Sequence, residues 1–90
     1  MTVARRFTVR GGVQGVGFRW AARAEAVKLG LVGTVRNLRD GAVQAEAQGD
    51  EAAVEAFAAW LAHGPRRARV AEVAAEDLPH LEASAFEIRP

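Results

Sequence analysis

Gly11-Gly12-Val13-Gln14-Gly15-Val16-Gly17-Phe18-Arg19 places four glycines within seven residues and closes on an aromatic ring and a cation. Glycines have no side chain to bury, so such a run builds no core. It permits positive φ and close approach of the backbone to a ligand. An apolar, β-favouring run, Phe7-Thr8-Val9, precedes it, and an alanine-rich, helix-favouring segment from Trp20 to Leu29 follows. A glycine loop between a strand and a helix presents unpaired N–H groups at the positive end of the helix dipole, which suits an anion. Arg19 falls in the first helical turn, where the dipole prefers an acid. The cation makes sense with a bound anion between the two, which implies a small phosphate-type pocket. The nucleotide loops do not fit: there is no Gly-Lys-Ser/Thr, and the order from Gly12 is G-x-x-G-x-G rather than G-x-G-x-x-G. The plainer alternative is a flexible surface loop followed by a chance arginine.

Working outward, Val3 to Arg10 reads as a strand with Val3, Phe7 and Val9 on one face; Arg5 interrupts that face and is expected near a strand end. Phe18 to Leu29 reads as a helix with Phe18, Ala22, Ala26 and Leu29 as its apolar stripe, stopped by Gly30 in a left-handed cap. Leu31 to Asn37 and Ala42 to Gln48 read as a hairpin closed by Leu38-Arg39-Asp40-Gly41, with Asp-Gly supplying the turn. Val43, Ala45 and Ala47 alternate with Gln44, Glu46 and Gln48, so one side is buried and the other wet. Asp50 offers an N-cap for a second helix over about residues 51–62, with Val54, Phe57, Ala58 and Leu61 as its stripe and Gly64-Pro65 as its stop. Val70 to Glu76 is a weaker strand, and Phe86 to Arg89 a short last one.

The order is β-α-β-β-α-β with a possible extra strand, which predicts an α+β, ferredoxin-like sandwich: a mostly antiparallel sheet with two helices on one face. Asn37 shares the parity of Val35, so it points to the helix side at the end of its strand. From there it faces the glycine pocket from the opposite wall. Residues 1–90 read as a single domain, large enough for one core. No apolar run approaches the roughly 18 residues of a membrane span. The N-terminus lacks a signal-peptide core, and the chain has no cysteine, so a cytoplasmic location and no membrane partner are expected. Net charge is only +1, but residues 1–45 hold eight Lys/Arg against two acids and residues 46–90 four against nine. The basic half holds the glycine loop, which favours an anionic ligand over a nucleic-acid surface. An RNA-recognition module shares this element order but stacks bases on central-strand aromatics. Ala42 to Gln48 contains none, so no nucleic-acid partner is expected.

Gly12-Val13-Gln14-Gly15-Val16-Gly17-Phe18-Arg19, followed by Gly33-Thr34-Val35-Arg36-Asn37-Leu38-Arg39-Asp40-Gly41, resembles the paired signatures of the acylphosphatases. The similarity extends over nearly the whole chain, including Gly64 to Val70. By position, Arg19 resembles the family's phosphate-binding arginine and Asn37 the asparagine that orients the attacking water. The backbone amides of Val13, Gln14, Gly15, Val16, Gly17, Phe18 and Arg19 correspond to the phosphate cradle. The resemblance implies hydrolysis of carboxyl-phosphate anhydrides to carboxylate and inorganic phosphate, with no cofactor and no metal. Thr34 stands where many relatives have tryptophan, and Gln44 where many have glutamate; neither matches a catalytic position.

That chemistry asks little of acid–base groups. The leaving group is a carboxylate, and phosphoryl transfer is catalysed by positioning and electrostatic stabilisation. Arg19 can give a two-pronged donor set, and Asn37 can bond a water while being too weak a base to take its proton. The substrate's own phosphate is the expected proton acceptor. Asp40 reads as turn chemistry, and His63 and His80 as loop residues without a third metal ligand; Trp20 reads as support or packing first, with bordering the pocket and contacting an acyl group as the alternative. Arg66, Arg67 and Arg69 read as a solvated loop. A free-standing, monomeric enzyme acting on a small acyl phosphate is the expectation; the alternative is a non-catalytic anion-binding or regulatory domain on the same scaffold.

Overall fold

The computed structural model describes residues 1–90. Its elements are β1 (Thr2–Gly12), α1 (Phe18–Lys28), β2 (Val32–Asn37), β3 (Val43–Asp50), α2 (Glu51–Leu61), β4 (Arg69–Leu78) and β5 (Phe86–Ile88). The strands form one sheet in the order β4-β1-β3-β2-β5. β1 pairs antiparallel with β3 and β4, and β2 with β3, while β2 and β5 run parallel. β3 therefore lies between β1 and β2, and β1 between β3 and β4. Each helix makes a split βαβ crossover, which is the ferredoxin-like plan. β5 is the extra strand, added on the β2 edge.

The period-two parity of the strands decides which side the helices cover. Phe7 and Val9 of β1, Val35 of β2, Val43, Ala45 and Ala47 of β3 and Phe86 of β5 are all buried. Phe18, Ala22 and Ala26 of α1 and Val54, Phe57 and Leu61 of α2 close over them in one cluster. Phe57 ties the layers together: its ring meets Phe7 edge-on at 6.1 Å and Phe86 at 5.9 Å, and stacks on Trp60 at 6.3 Å. Burying each such side chain stabilises the fold by about 1.5–3 kcal/mol, so these rings hold both helices to the sheet. The opposite face is polar. There Arg6 bridges its register partners, Glu46 on β3 at 2.8 Å and Glu76 on β4 at 2.7 Å.

Gly30 ends α1 as its sequence position indicates. The Gly30 N–H donates to Val27 at 3.0 Å and the Leu31 N–H to Ala26 at 2.9 Å, the paired bonds of a Schellman stop. Asp50 takes the N-cap position of α2, but its side chain makes no capping bond. Its carboxylate pairs instead with the Met1 amino group at 3.3 Å.

Two strand readings change. Arg5 is not near a strand end; it is the fourth residue of the eleven-residue β1. It tolerates the helix-side face because its guanidinium reaches Asp77 at 3.2 Å and Glu51 at 3.5 Å. β4 is also longer than Val70–Glu76. Only Val70, Val73 and Leu78 are even half-buried along it, so alternation carries little signal, and pairing along β1 sets its length. That pairing shifts register between Arg10 and Gly11. Gly11 has φ 132°, and a Cβ there would collide with the carbonyl of Arg69. Only glycine lets the two strands approach at this bulge.

Candidate active site

β1 runs out of the sheet at Gly12, Val13 is buried beneath it, and residues 14–17 turn the chain into α1. Gly17, the N-cap of α1, has φ 79°, a left-handed conformation that costs an ordinary L-residue about 1–2 kcal/mol. Phe18 then anchors the first helical turn. Its ring lies 5.7 Å from that of Trp60. Gly64, in the turn after α2, packs so closely that a Cβ on it would stand 2.6 Å from Phe18 Cε2. Anchoring Phe18 inward places its neighbour Arg19 at the rim.

The helix start is left open. The first intrahelical bond runs from the Ala21 N–H to the Gly17 carbonyl at 3.1 Å, and no turn, loop or cap bond is donated by a main-chain N–H between Gln14 and Trp20. No side chain caps α1, and its first turn holds no acid. A helix N-terminus with free donors and an adjacent arginine suits an anion.

A cavity of about 190 Å³ faces these donors, lined by Val13, Gly15, Gly17, Phe18, Arg19, Trp20 and Asn37. It brings together residues distant in sequence. Arg19 is half-buried, and its Nη1 donates to the Arg89 carbonyl at 3.0 Å, which holds the guanidinium at the cavity. Asn37 pairs with Val43 at the open end of β2, on the same face as Val35. Its side-chain amide makes no bond within the protein and is free to bond a guest. Val16 does not line the cavity; it packs half-buried against the core.

Gln14 also lies outside the lining, and its side chain has a job that the reading of its backbone amide missed. Nε2 donates to the carbonyls of Leu38 at 2.7 Å and Ala42 at 2.9 Å. These carbonyls belong to the β2–β3 hairpin that carries Asn37, so Gln14 clamps one wall of the cavity to the other. The same hairpin is closed by the Leu38 N–H to Ala42 at 2.8 Å and the Gly41 N–H to Leu38 at 3.2 Å. Asp40 accepts from the Ala42 N–H at 3.0 Å and from Arg10 at 2.8 Å. The Arg10 bond, then the Ala42 N–H, hold its carboxyl below the usual carboxylate range. Asp40 is turn chemistry, engaged away from the cavity. For Trp20 the second of the two sequence readings holds: it is 68% exposed and walls the cavity rather than packing.

Chemically, the cavity can hold a tetrahedral dianion by main-chain N–H groups and a guanidinium, with one neutral amide facing it. The acylphosphatase family model matches residues 5–88. A Pseudomonas paraeruginosa protein named Acylphosphatase is 53% identical over 81 residues, spanning 90% of this chain and 89% of its own. The structure of an acylphosphatase from Coxiella burnetii superposes with a TM-score of 0.95 at 36% identity, covering 98% of this chain and 93% of that one. The acylphosphatase from Bacillus subtilis gives 0.94 at 35% identity, with both chains fully covered.

Proposed function

The chain belongs to the acylphosphatase family, and from that premise we propose that it hydrolyses acyl phosphates to a carboxylate and inorganic phosphate. The observation that carries the proposal is the single small cavity in which Arg19 and Asn37 meet the undonated N–H groups of the glycine loop and α1.

The phosphoryl group enters against the loop. Main-chain N–H groups from about Gly15 to Trp20 hold its equatorial oxygens, and Arg19 adds a charged, forked donor. These donors are in place before substrate arrives, because Phe18 is packed and Arg19 is already tethered to Arg89, so little reorganisation is needed in the transition state. Asn37 accepts from a water and donates to a phosphoryl oxygen, which holds the nucleophile near phosphorus. Water oxygen bonds to phosphorus as the P–O bond to the acyl group breaks. The bonding pair leaves on the carboxylate, and the water's proton passes to a phosphate oxygen. Cationic stabilisation comes from Arg19 and the helix end, so the proposed reaction needs no metal. We place it in the cytoplasm, which the cysteine-free composition supports, with residues 1–90 acting as one monomeric domain.

The test is hydrolysis of acetyl phosphate in EDTA by the intact protein, Arg19→Ala and Asn37→Ala, with folds checked by circular dichroism and mass by light scattering. Removing one preorganised donor of this kind costs about 10²–10³-fold in rate. Arg19→Ala is expected to lose at least that, together with inhibition by inorganic phosphate; Asn37→Ala is expected to lose turnover but keep phosphate inhibition. A folded, phosphate-binding but inactive parent would sink the hydrolase reading.

A further inference from the structure

We infer that the groove between α1 and β5, beside the phosphate cavity, is the subsite for the acyl part of the substrate and selects for planar, apolar acyl groups. This rests on the hydrolase reading above. The phosphate cavity measures about 190 Å³, below the roughly 300–1,000 Å³ of pockets that enclose a whole small molecule. It suits a phosphoryl group and an attacking water, so the acyl group extends beyond it. Trp20 walls this cavity and also a second hollow of about 540 Å³, whose remaining wall is Arg23 and the stretch Ala85 to Arg89. Arg19 joins the two spaces as well, since the carbonyl that holds its guanidinium is that of Arg89. An acyl group passing Trp20 out of the cavity enters this groove.

The walls state what fits. Trp20 is 68% exposed, whereas the four phenylalanines and Trp60 are buried or half-buried. An indole left in water next to the anion-binding arginine offers a flat apolar face and a low-entropy contact. Half-buried Ile88 supplies a second apolar surface across the groove. Arg23, one helical turn beyond Arg19, is not available to the phosphate: its Nε donates to the Phe86 carbonyl at 3.1 Å, which ties it to the β5 side. The groove is therefore a slot with an aromatic wall, open at its outer end, and a planar ring conjugated to the acyl carbon can lie along Trp20.

The experiment measures kcat/KM for benzoyl phosphate and acetyl phosphate with the intact protein, Trp20→Ala and Trp20→Phe. Comparing the ratio of the two substrates between proteins cancels their intrinsic reactivities. Trp20→Ala is expected to lower the benzoyl-to-acetyl ratio about tenfold, the scale of one aromatic contact, and Trp20→Phe to recover most of it. The exposed side chain can be cut back without opening the core. An active enzyme whose ratio is the same in all three proteins would overturn the subsite and leave the hydrolase reading standing. An intact protein that hydrolyses neither anhydride would overturn both.

Discussion

The two helices are each eleven residues long and pack on the same side of one sheet, yet their N-termini are finished in opposite ways. α2 begins at Asp50 in extended conformation with Glu51 in its first turn. The chain's own start closes this end: the Met1 carbonyl accepts the Glu51 N–H at 2.8 Å, and its amino group pairs with Asp50. α1 begins at a left-handed glycine, with no capping side chain, no acid and a cation in the first turn. Both helices carry the same dipole. One end is satisfied from within the chain, and the other keeps its donors free of internal partners. The protein can close a helix start, so the opening at α1 is specific to that position and sits where the cavity is.

The most direct way to break the contrast is to move the α2 chemistry to α1. Gly17→Asp puts a carboxylate at the open N-cap. Nothing lies within 4 Å of where its Cβ would stand, so sterics do not confuse the result. The left-handed backbone costs about 1–2 kcal/mol, so the melting temperature should fall by about 4–8 °C for each kcal/mol while the fold is kept. Activity on acetyl phosphate should fall by 10²-fold or more, with phosphate inhibition lost, because the internal carboxylate takes the donors and repels the dianion. A folded variant that keeps phosphate inhibition would mean that the helix end is not the anion site.

The next effect concerns the clamp between the two walls. Gln14→Ala frees the loop from the hairpin and is expected to lower kcat about tenfold, since small misplacements of positioning groups carry penalties up to about 10²-fold. If Gln14 acts by holding Asn37 opposite the loop, the same change in an Asn37→Ala background should have little further effect, the non-additivity of residues that act as a unit. Full additivity would show that Gln14 serves the loop alone.

This clamp marks where sequence reading stops. The loop, Arg19 and Asn37 were legible because local rules constrain them: glycine spacing, a cation at the wrong end of a dipole, strand parity at Asn37. The hairpin and both helical stripes were legible for the same reason. The sequence identifies Gln14 only as a backbone donor, because its side-chain partners, the carbonyls of Leu38 and Ala42, meet it through the sheet's β1–β3–β2 arrangement and not through any sequence period. The full length of β4 was hidden for a related reason: Ala71, Glu72, Ala74, Ala75 and Glu76 favour helix, and pairing with β1 overrides them. Arg5 breaks the apolar parity of β1, and only the tertiary fold supplies its partners, Glu51 and Asp77.

At the closed helix start the expected effects are smaller and purely structural. Glu51→Lys imitates the α1 arrangement on α2 and should destabilise the protein by about 0.3–1 kcal/mol, the usual worth of a charge at a helix end. The substitution also removes one of the two carboxylate partners of Arg5 and sets a like charge beside that guanidinium, so the loss should lie at or above the top of that range. Denaturant midpoints measure the loss. kcat should not move, and no phosphate binding should appear, because α2 has no glycine loop before it to supply further donors.

The smallest effect separates charge from clamp within the site's own hairpin. Asp40 is held below the usual carboxylate range, first by Arg10 and then by the Ala42 N–H. A carboxylate whose folded pKa is depressed adds stability that is complete above its unfolded value of about 3.9 and is lost as pH falls through the lower folded value. Asp40→Asn keeps an oxygen for the Ala42 N–H and removes only the charge toward Arg10. The variant should therefore be slightly less stable than the parent at neutral pH, and the two denaturation midpoints should converge as the solution is acidified through the carboxylate range. Asp40 is exposed, so the gap is small at every pH. Turnover should change by less than about twofold, because Gln14 and the two hairpin backbone bonds still hold Asn37 in place, and an exposed charge pair of this kind contributes little. If turnover instead fell as far as in Gln14→Ala, the Arg10–Asp40 pair would be part of what positions Asn37, and the clamp would extend from the loop through the turn to the second half of β1.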